Sequence, residues 1–182
     1  MNIIACIPAY NEALHIHEII QKTSNFVNKI IVCDDGSSDN TYEILSKIPE
    51  IEIIRNETNL GKGYTMRRLL EKAKKNNPDI VIFLDGDLQH NPEEIPIFIN
   101  AIVNDHADFV IGSRFIKGGN SNPPLYRRIG LAFFNMANSK NVTDSQSGFR
   151  AIKGEALDHF ISTRENGYGI EYEQISIAQK AN

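Results

Sequence analysis

The stretch VIFLDGDLQH (residues 81–90) joins a run of apolar, strand-forming residues directly to two carboxylates two positions apart. Asp85 and Asp87 are therefore expected at the carboxyl end of a strand, where open α/β sheets place their ligands. Alternate strand residues face the same way, so both carboxylates share one side, and Gly86 lets a ligand approach closely. Two hard oxygen donors on a rigid strand end suit Mg²⁺ or Mn²⁺ held jointly with substrate phosphates.

A pattern this short also fits a solvated acidic turn, since Asp and Gly are common turn formers. The composition of the chain and its other motifs distinguish between the two interpretations. Its 182 residues fit one domain over residues 1–182, and its formal net charge of -4 argues against a nucleic-acid partner. Cys6 and Cys33 both lie inside apolar runs, which predicts two buried thiols in a reducing cytosol.

Strand and helix patterns alternate along the first two-thirds of the chain, which predicts an α/β fold with a mostly parallel, Rossmann-like central sheet flanked by helices. Strands are predicted at residues 2–7, 29–33, 51–55, 79–84 and 109–112. Helices are predicted at 12–26, 40–48, from the glycine-rich turn 59–63 to about 75, and at 92–104. Further on, we expect a helix over 125–139, a short strand over 149–152, and helices from 154 and over 170–181.

Four of these strands end in polar, turn-forming clusters: PAYNE (8–12), DDGSSD (34–39), DGDLQH (85–90) and GSRF (112–115). The carboxyl ends of parallel strands meet at one edge of a sheet, so the clusters are expected to converge on one crevice. Tyr10 offers an aromatic face to a nucleobase, and Asp35 accepts hydrogen bonds from base or ribose. Asp87 and Gln89 can hold a metal that bridges a diphosphate, and Arg114 supplies a cationic fork for phosphate. The predicted ligand is a nucleoside diphosphate.

The motifs PAYNE, DDGSSD, NLGKG (59–63), LDGDLQH (84–90), GSRF and DSQSGFRA (144–151) occur together and in this order. In this respect the chain resembles the family 2 glycosyltransferases of the GT-A fold. Within that family it is most similar to the polyprenyl-phosphate mannose or glucose synthases of the dolichol-phosphate mannose synthase type. The resemblance covers residues 8–151.

The resemblance implies a role for each matching residue. Nucleotide-sugar binding falls to Pro8, Tyr10, Glu12, Asp35, Lys62, Asp85 and Arg114. The residues implied to bind the metal are Asp85, Asp87 and Gln89. Those implied to bind the acceptor are Arg127, Ser147 and Arg150. Those implied to act in catalysis are Asp87, Arg114 and Asp144. Glu171 and Glu173 resemble a later family segment that carries a functional acidic residue, although helix-surface carboxylates are the alternative.

The implied reaction is metal-dependent, inverting transfer of mannose or glucose from a GDP or UDP sugar to a polyprenyl or dolichyl phosphate. A phosphate monoester is already largely dianionic at neutral pH, with a second pKa near ~6, so it needs no strong general base. A saccharide or lipid hydroxyl is the alternative acceptor, and Asp144 would then be the base. A nucleotide-sugar-binding protein without turnover is the third hypothesis.

No apolar run approaches the roughly 18 residues needed to span a bilayer, and no charged leader precedes the first strand. We therefore expect a cytoplasmic protein. The predicted helix over 125–139 combines Arg127 and Arg128 with Phe133 and Phe134, a composition compatible with peripheral contact at the cytoplasmic membrane face. The family continues beyond the position of Asn182, so the chain is expected to be either naturally short or truncated at the C-terminus of the catalytic domain.

Overall fold

The computed structural model describes residues 1–113, 130–135, 138–139 and 147–180. The strands are β1 (Ile3–Ala9), β2 (Lys29–Asp34), β3 (Ile51–Arg55), β4 (Ile80–Phe83), β5 (Phe109–Ser113), β6 (Gly130–Asn135), β7 (Asn138–Ser139) and β8 (Arg150–Lys153). The α-helices are α1 (Ile16–Thr23), α2 (Thr41–Leu45), α3 (Lys62–Lys74), α4 (Ile95–Val103), α5 (Leu157–Ile161) and α6 (Ile170–Lys180). Short 3₁₀ turns at Pro92–Glu94 and Gly154–Ala156 precede α4 and α5.

The strands form one mixed sheet in the order β3-β2-β1-β4-β8-β5-β6-β7. The strands β1 to β4 pair in parallel, whereas β8 inserts antiparallel between β4 and β5, and β6 pairs antiparallel with β5. The strands β1 to β5 therefore all run in one direction. The predicted α/β fold with a common carboxyl edge is confirmed, and the antiparallel insertion is an addition that the alternating pattern did not predict.

Helices cover both faces of the sheet, which explains why its central strands are apolar at nearly every position. On one face, α1 and α4 pack on alternate residues such as Ala5 and Ile7 of β1 and Ile82 of β4. On the other, α3, α5 and α6 pack on the residues between them, such as Cys6 and Phe83. The two cysteines are buried and unpaired, as predicted.

The helix predicted over 125–139 is wrong, because residues 130–135 form β6 and residues 138–139 form β7. The apolar run Leu131–Phe134 is short and holds two aromatic residues, which favour strands, and periodicity alone cannot separate a short buried helix from a strand. Pairing with the edge of β5 settles the choice. This correction removes the helix on which the expected membrane contact was based. No helix in the described parts of the chain has the length and apolar character needed to cross a bilayer.

Candidate functional site: two cavities at the carboxyl edge of the sheet

A cleft of about 380 Å³ opens where β1, β2 and β4 end, and we refer to it as the strand-end cleft. Its lining residues are Pro8, Ala9, Tyr10, Glu12, Asp35, Asn59, Gly61, Lys62, Thr65, Asp85, Gly86, Asp87, Gly167 and Tyr168. Seven predicted site residues are in this set: Pro8, Tyr10, Glu12, Asp35, Lys62, Asp85 and Asp87. The structure therefore brings together the clusters that follow three separate strands, as the topology required.

The turns after β1 and β2 are bonded to each other. Asn11 adopts a left-handed φ of 57°, which this residue type tolerates better than most. Its backbone N–H donates to Ser37 Oγ (2.9 Å), and its side-chain oxygen accepts from the Ser38 N–H (2.9 Å). The Glu12 N–H donates to Thr41 Oγ1 (2.8 Å). These bonds hold the backbone on either side of Tyr10, whose side chain stays 45% exposed beside the cleft.

Asp35 is buried and shapes the cleft by anchoring the turn that precedes α3. Its Oδ1 accepts from Asn56 Nδ2 (2.6 Å) and from the Leu60 N–H (2.9 Å), and its Oδ2 accepts from the Gly61 N–H (2.9 Å). A carboxylate oxygen has room for about two donors. Oδ2 therefore keeps capacity for a ligand hydroxyl or amine, while the other bonds fix the cleft wall.

The glycine-rich turn 59–63 looks like a phosphate cradle, but the N–H groups of Leu60, Gly61 and Gly63 already have protein partners. The Asn166 carbonyl accepts from Gly63 N (2.8 Å) and Tyr64 N (3.4 Å) at the start of α3. A side chain at Gly61 or Gly63 would overlap the backbone of residues 165–166, so both glycines are needed for this close approach. The N-terminus of α3 thus receives the loop between α5 and α6.

The two carboxylates after β4 have different environments. Asp87 Oδ1 accepts from the Gln89 N–H (3.0 Å) across a turn in which Leu88 has a φ of 61°. The backbone N–H of Asp85 donates to His90 Nδ1 (3.3 Å), which holds the turn against the buried imidazole. Both carboxylates are half-buried. Glu12 lies close by, and its pKa is raised by burial and then by the charge of Asp87. The site therefore holds three carboxylates that repel one another.

Lys62 supplies a positive charge next to this group. Its Nζ lies 2.9 Å from Asp85 Oδ1 and 2.8 Å from Glu171 Oε1. Burial alone would lower the pKa of Lys62, but the two carboxylates outweigh that effect and its pKa is raised. Glu171 is itself almost completely buried. The ammonium is therefore charged and held at a fixed position between α3, β4 and α6.

A second cavity of about 370 Å³ shares Lys62, Asp85 and Tyr168 with the strand-end cleft. It is lined by Lys62, Asp85, Gln89, His90, Ser147, Gly148, Tyr168, Gly169, Glu171 and Tyr172. The predicted acceptor residue Ser147 is in this wall and is buried. Beside it, Gly148 packs so closely on Asp85 that any side chain at this position would overlap the carboxylate.

Arg150 has a different position from the one its predicted contact with an acceptor would need. Its side chain is completely buried. Its Nε donates to the Ser147 carbonyl (2.7 Å), and its Nη1 donates to the Glu171 carbonyl and to Gln174 Oε1 (both 3.0 Å). This placement fits a residue that holds the wall of the second cavity by joining β8 to α6.

Oxygen donors suited to Mg²⁺ are present, but they do not form a complete cage. The described residues contain no group of three or more His, Cys, Asp or Glu side chains arranged to hold a metal ion. Asp85 and Asp87 do line one cleft, and their repulsion with Glu12 is a charge imbalance that a cation would relieve. Mg²⁺ is commonly held by one or two carboxylates plus substrate phosphates. The residues therefore fit a cation that binds together with a diphosphate.

Three of the predicted residues, Arg114, Arg127 and Asp144, lie outside the described residues. Gln89 is exposed and lines the second cavity. Sequence analysis missed Gly148 and Tyr168 and left the role of Glu171 open. Glu173 proves structural, because its carboxylate accepts from the backbone N–H groups of Arg164 (3.0 Å) and Glu165 (2.9 Å). The segment GYGIEYEQ (167–174), which carries Glu171 and Glu173, also carries Tyr168 and Tyr172.

A mixed α/β sheet with acidic and aromatic residues converging at its carboxyl edge is the architecture of GT-A glycosyltransferases. Among solved structures, S. aureus TarS (residues 1–349) in complex with UDP superposes with a TM-score of 0.69 at 20% identity. The likeness covers 100% of this chain and 55% of that one, and it establishes the fold.

The sequence profile of glycosyl transferase family 2 matches residues 4–160, and the chain belongs to that family. It is 36% identical to UDP-N-acetylglucosamine–dolichyl-phosphate N-acetylglucosaminyltransferase of Methanococcus voltae, over 83% of this chain and 69% of that protein. It is 33% identical to dolichol-phosphate mannosyltransferase of Pyrococcus furiosus, over 87% of this chain and 48% of that protein. The predicted family is confirmed. The two relatives differ in the sugar they are named for.

Proposed function

We propose that this chain transfers a hexose from a nucleotide sugar to a polyprenyl phosphate. The strand-end cleft would bind the nucleotide sugar, and the second cavity would receive the phosphate of the acceptor. The single observation that carries the proposal is that the two cavities share a wall that contains Lys62 and Asp85. Its support from outside the structure is that the relatives in Methanococcus voltae and Pyrococcus furiosus are named for dolichyl-phosphate substrates.

Within the strand-end cleft, Tyr10 is placed to pack on the base, and Asp35 can accept a hydrogen bond through Oδ2. Asp85 and Asp87, with Gln89, would hold Mg²⁺ or Mn²⁺ together with the diphosphate. Such a metal would neutralise the negative charge that develops on the departing diphosphate. Lys62 adds a protein cation at the same point, where a preorganised charge in a partly buried site stabilises a developing anion.

The acceptor chemistry explains why no general base is required. A phosphate monoester with a second pKa near ~6 is already a dianion at neutral pH and can attack without losing a proton first. The protein then has to align the two substrates and exclude water, which the rigid walls around Lys62 and Ser147 are suited to do. In-line attack from the second cavity on a donor in the strand-end cleft would invert the configuration at the transferred carbon.

Calorimetric titration tests the donor site. UDP-N-acetylglucosamine, UDP-glucose and GDP-mannose are titrated with and without Mn²⁺ into the wild type, Asp87→Ala and the control Asp105→Ala, whose carboxylate is exposed in the turn after α4. We expect the wild type to bind the sugars of one nucleotide, UDP or GDP, with an affinity that depends strongly on Mn²⁺. Of the two variants, only Asp87→Ala is expected to lose that dependence. Transfer to a short polyprenyl phosphate then tests the acceptor. Wild-type protein that binds none of these nucleotides contradicts the proposal.

A further inference from the structure

Three tyrosines occupy successive positions along the two cavities. Tyr10 lines the strand-end cleft, Tyr168 lines both cavities, and Tyr172 lines the second cavity. Among the described residues, Lys62, Asp85 and Tyr168 are the ones that line both. A group that passes from a donor in one cavity to an acceptor in the other has to lie against this shared wall. The three residues therefore mark the position of the transferred group.

Tyr168 has an exposed ring on an anchored backbone. Its side chain is 78% exposed, so the ring is open to a ligand in either cavity. The loop that carries it is nevertheless fixed, since the Asn166 carbonyl bonds to the start of α3 and Glu173 holds the N–H groups of residues 164 and 165. The ring is thus presented at a defined place.

Lys62 provides a charged group beside the Tyr168 ring. Its ammonium lies 5.9 Å from the centroid of the Tyr168 ring and is held there by Asp85 and Glu171. An aromatic face beside a fixed cation and a carboxylate suits a hexose, which has apolar C–H faces and a rim of hydroxyl groups. A base would also pack on the ring, but Tyr10 and Asp35 are available for the base in the strand-end cleft.

We propose that Tyr168 packs against the transferred sugar and so acts as a specificity-determining residue of the donor site. This inference rests on the proposed function and adds to it the residue that reads the sugar. It assigns the base to Tyr10, the sugar to Tyr168 and the acceptor side to Tyr172.

The test compares Tyr10→Ala, Tyr168→Ala and Tyr172→Ala by calorimetry with two pairs of probes: UDP-N-acetylglucosamine with UDP, and GDP-mannose with GDP, each with Mn²⁺. For the pair that the wild type binds, Tyr168→Ala should weaken the nucleotide sugar about tenfold and leave the diphosphate unchanged. Tyr168→Phe, which keeps the ring, should bind the sugar nucleotide like the wild type. Tyr10→Ala should weaken both ligands of the pair, and Tyr172→Ala neither.

The outcomes separate this inference from the proposed function. If Tyr168→Ala weakens the affinity for the nucleotide sugar and for the diphosphate equally, the ring contacts the nucleotide and not the sugar. If it weakens neither affinity, the ring contacts no part of the donor. Each result overturns the inference while leaving the donor site intact. Failure of the wild type to bind any of the four probes would instead overturn the proposed function. All three tyrosines are exposed, so the alanine variants are expected to fold, which thermal unfolding checks.

Discussion

The strand-end cleft and the second cavity lie side by side, but the chain builds them in different ways. The cleft is lined mainly by the turns that directly follow β1, β2 and β4 and by the segment 59–65 that leads into α3, and bonds between these turns stabilise it along one sheet edge. Gly167 and Tyr168 complete its wall. The second cavity depends on residues 147–172, which return antiparallel through β8 and then cross to the start of α3. Most of the first wall comes from segments that directly follow strands of the sheet, whereas the second wall depends on the return of a distant part of the chain. Changes in the second wall should therefore affect stability as well as binding.

Arg150→Met tests this difference most strongly. The substitution removes a completely buried guanidinium and leaves the Ser147 and Glu171 carbonyls and Gln174 Oε1 without their donor. We expect the free energy of unfolding to fall by about 3–5 kcal/mol, the usual cost of breaking a buried charged network. Urea unfolding at pH 7 measures it. Arg164→Met, at an exposed arginine in the same part of the chain, is the control and should change stability by less than about 0.5 kcal/mol. A small effect at Arg150 would mean that the second wall is not held by packing.

The same contrast explains how far the sequence alone could reach. The positions of Asp85 and Asp87 at the end of a strand could be predicted from the sequence, because the strand and the two carboxylates are contiguous in the chain. The contact between Lys62 and Glu171 joins residues 109 positions apart, and nothing local in either segment indicates the other. The strand β6 was missed for a related reason, since its partner β5 lies earlier in the chain and supplies the pairing that a short apolar run cannot predict.

Gly148→Ala tests how the two walls meet. A methyl group at this position would overlap the Asp85 carboxylate, which is able to rotate away, so the fold should survive while the carboxylate moves. Displacement of a substrate-aligning group by about 1 Å can cost about 100-fold in rate, and we expect a loss of that order in kcat/KM for transfer. Gly167→Ala is the matched control: it changes a glycine of the strand-end cleft whose added methyl would meet its nearest neighbour only at 3.7 Å, an ordinary contact. Equal losses in both variants would contradict the specific role of Gly148.

Lys62→Met addresses the charge that the two walls share. The Lys62 ammonium lies 2.9 Å from Asp85 Oδ1, so it competes with any cation for that oxygen. Without the ammonium, Asp85 and Glu171 lose their shared counter-charge, and Glu12 and Asp87 still add to the negative potential. We therefore expect Lys62→Met to bind Mn²⁺ about tenfold more tightly than the wild type in the absence of nucleotide, a change of about 1.4 kcal/mol for one partly buried ion pair. Electron paramagnetic resonance of free Mn²⁺ during titration measures this directly.

Lys72→Met, which removes a lysine paired with Glu52 on the other side of α3, should leave Mn²⁺ binding unchanged. Weaker or unaltered binding in Lys62→Met would mean that Asp85 is not a metal ligand, and the cation would then depend on Asp87 and the diphosphate alone.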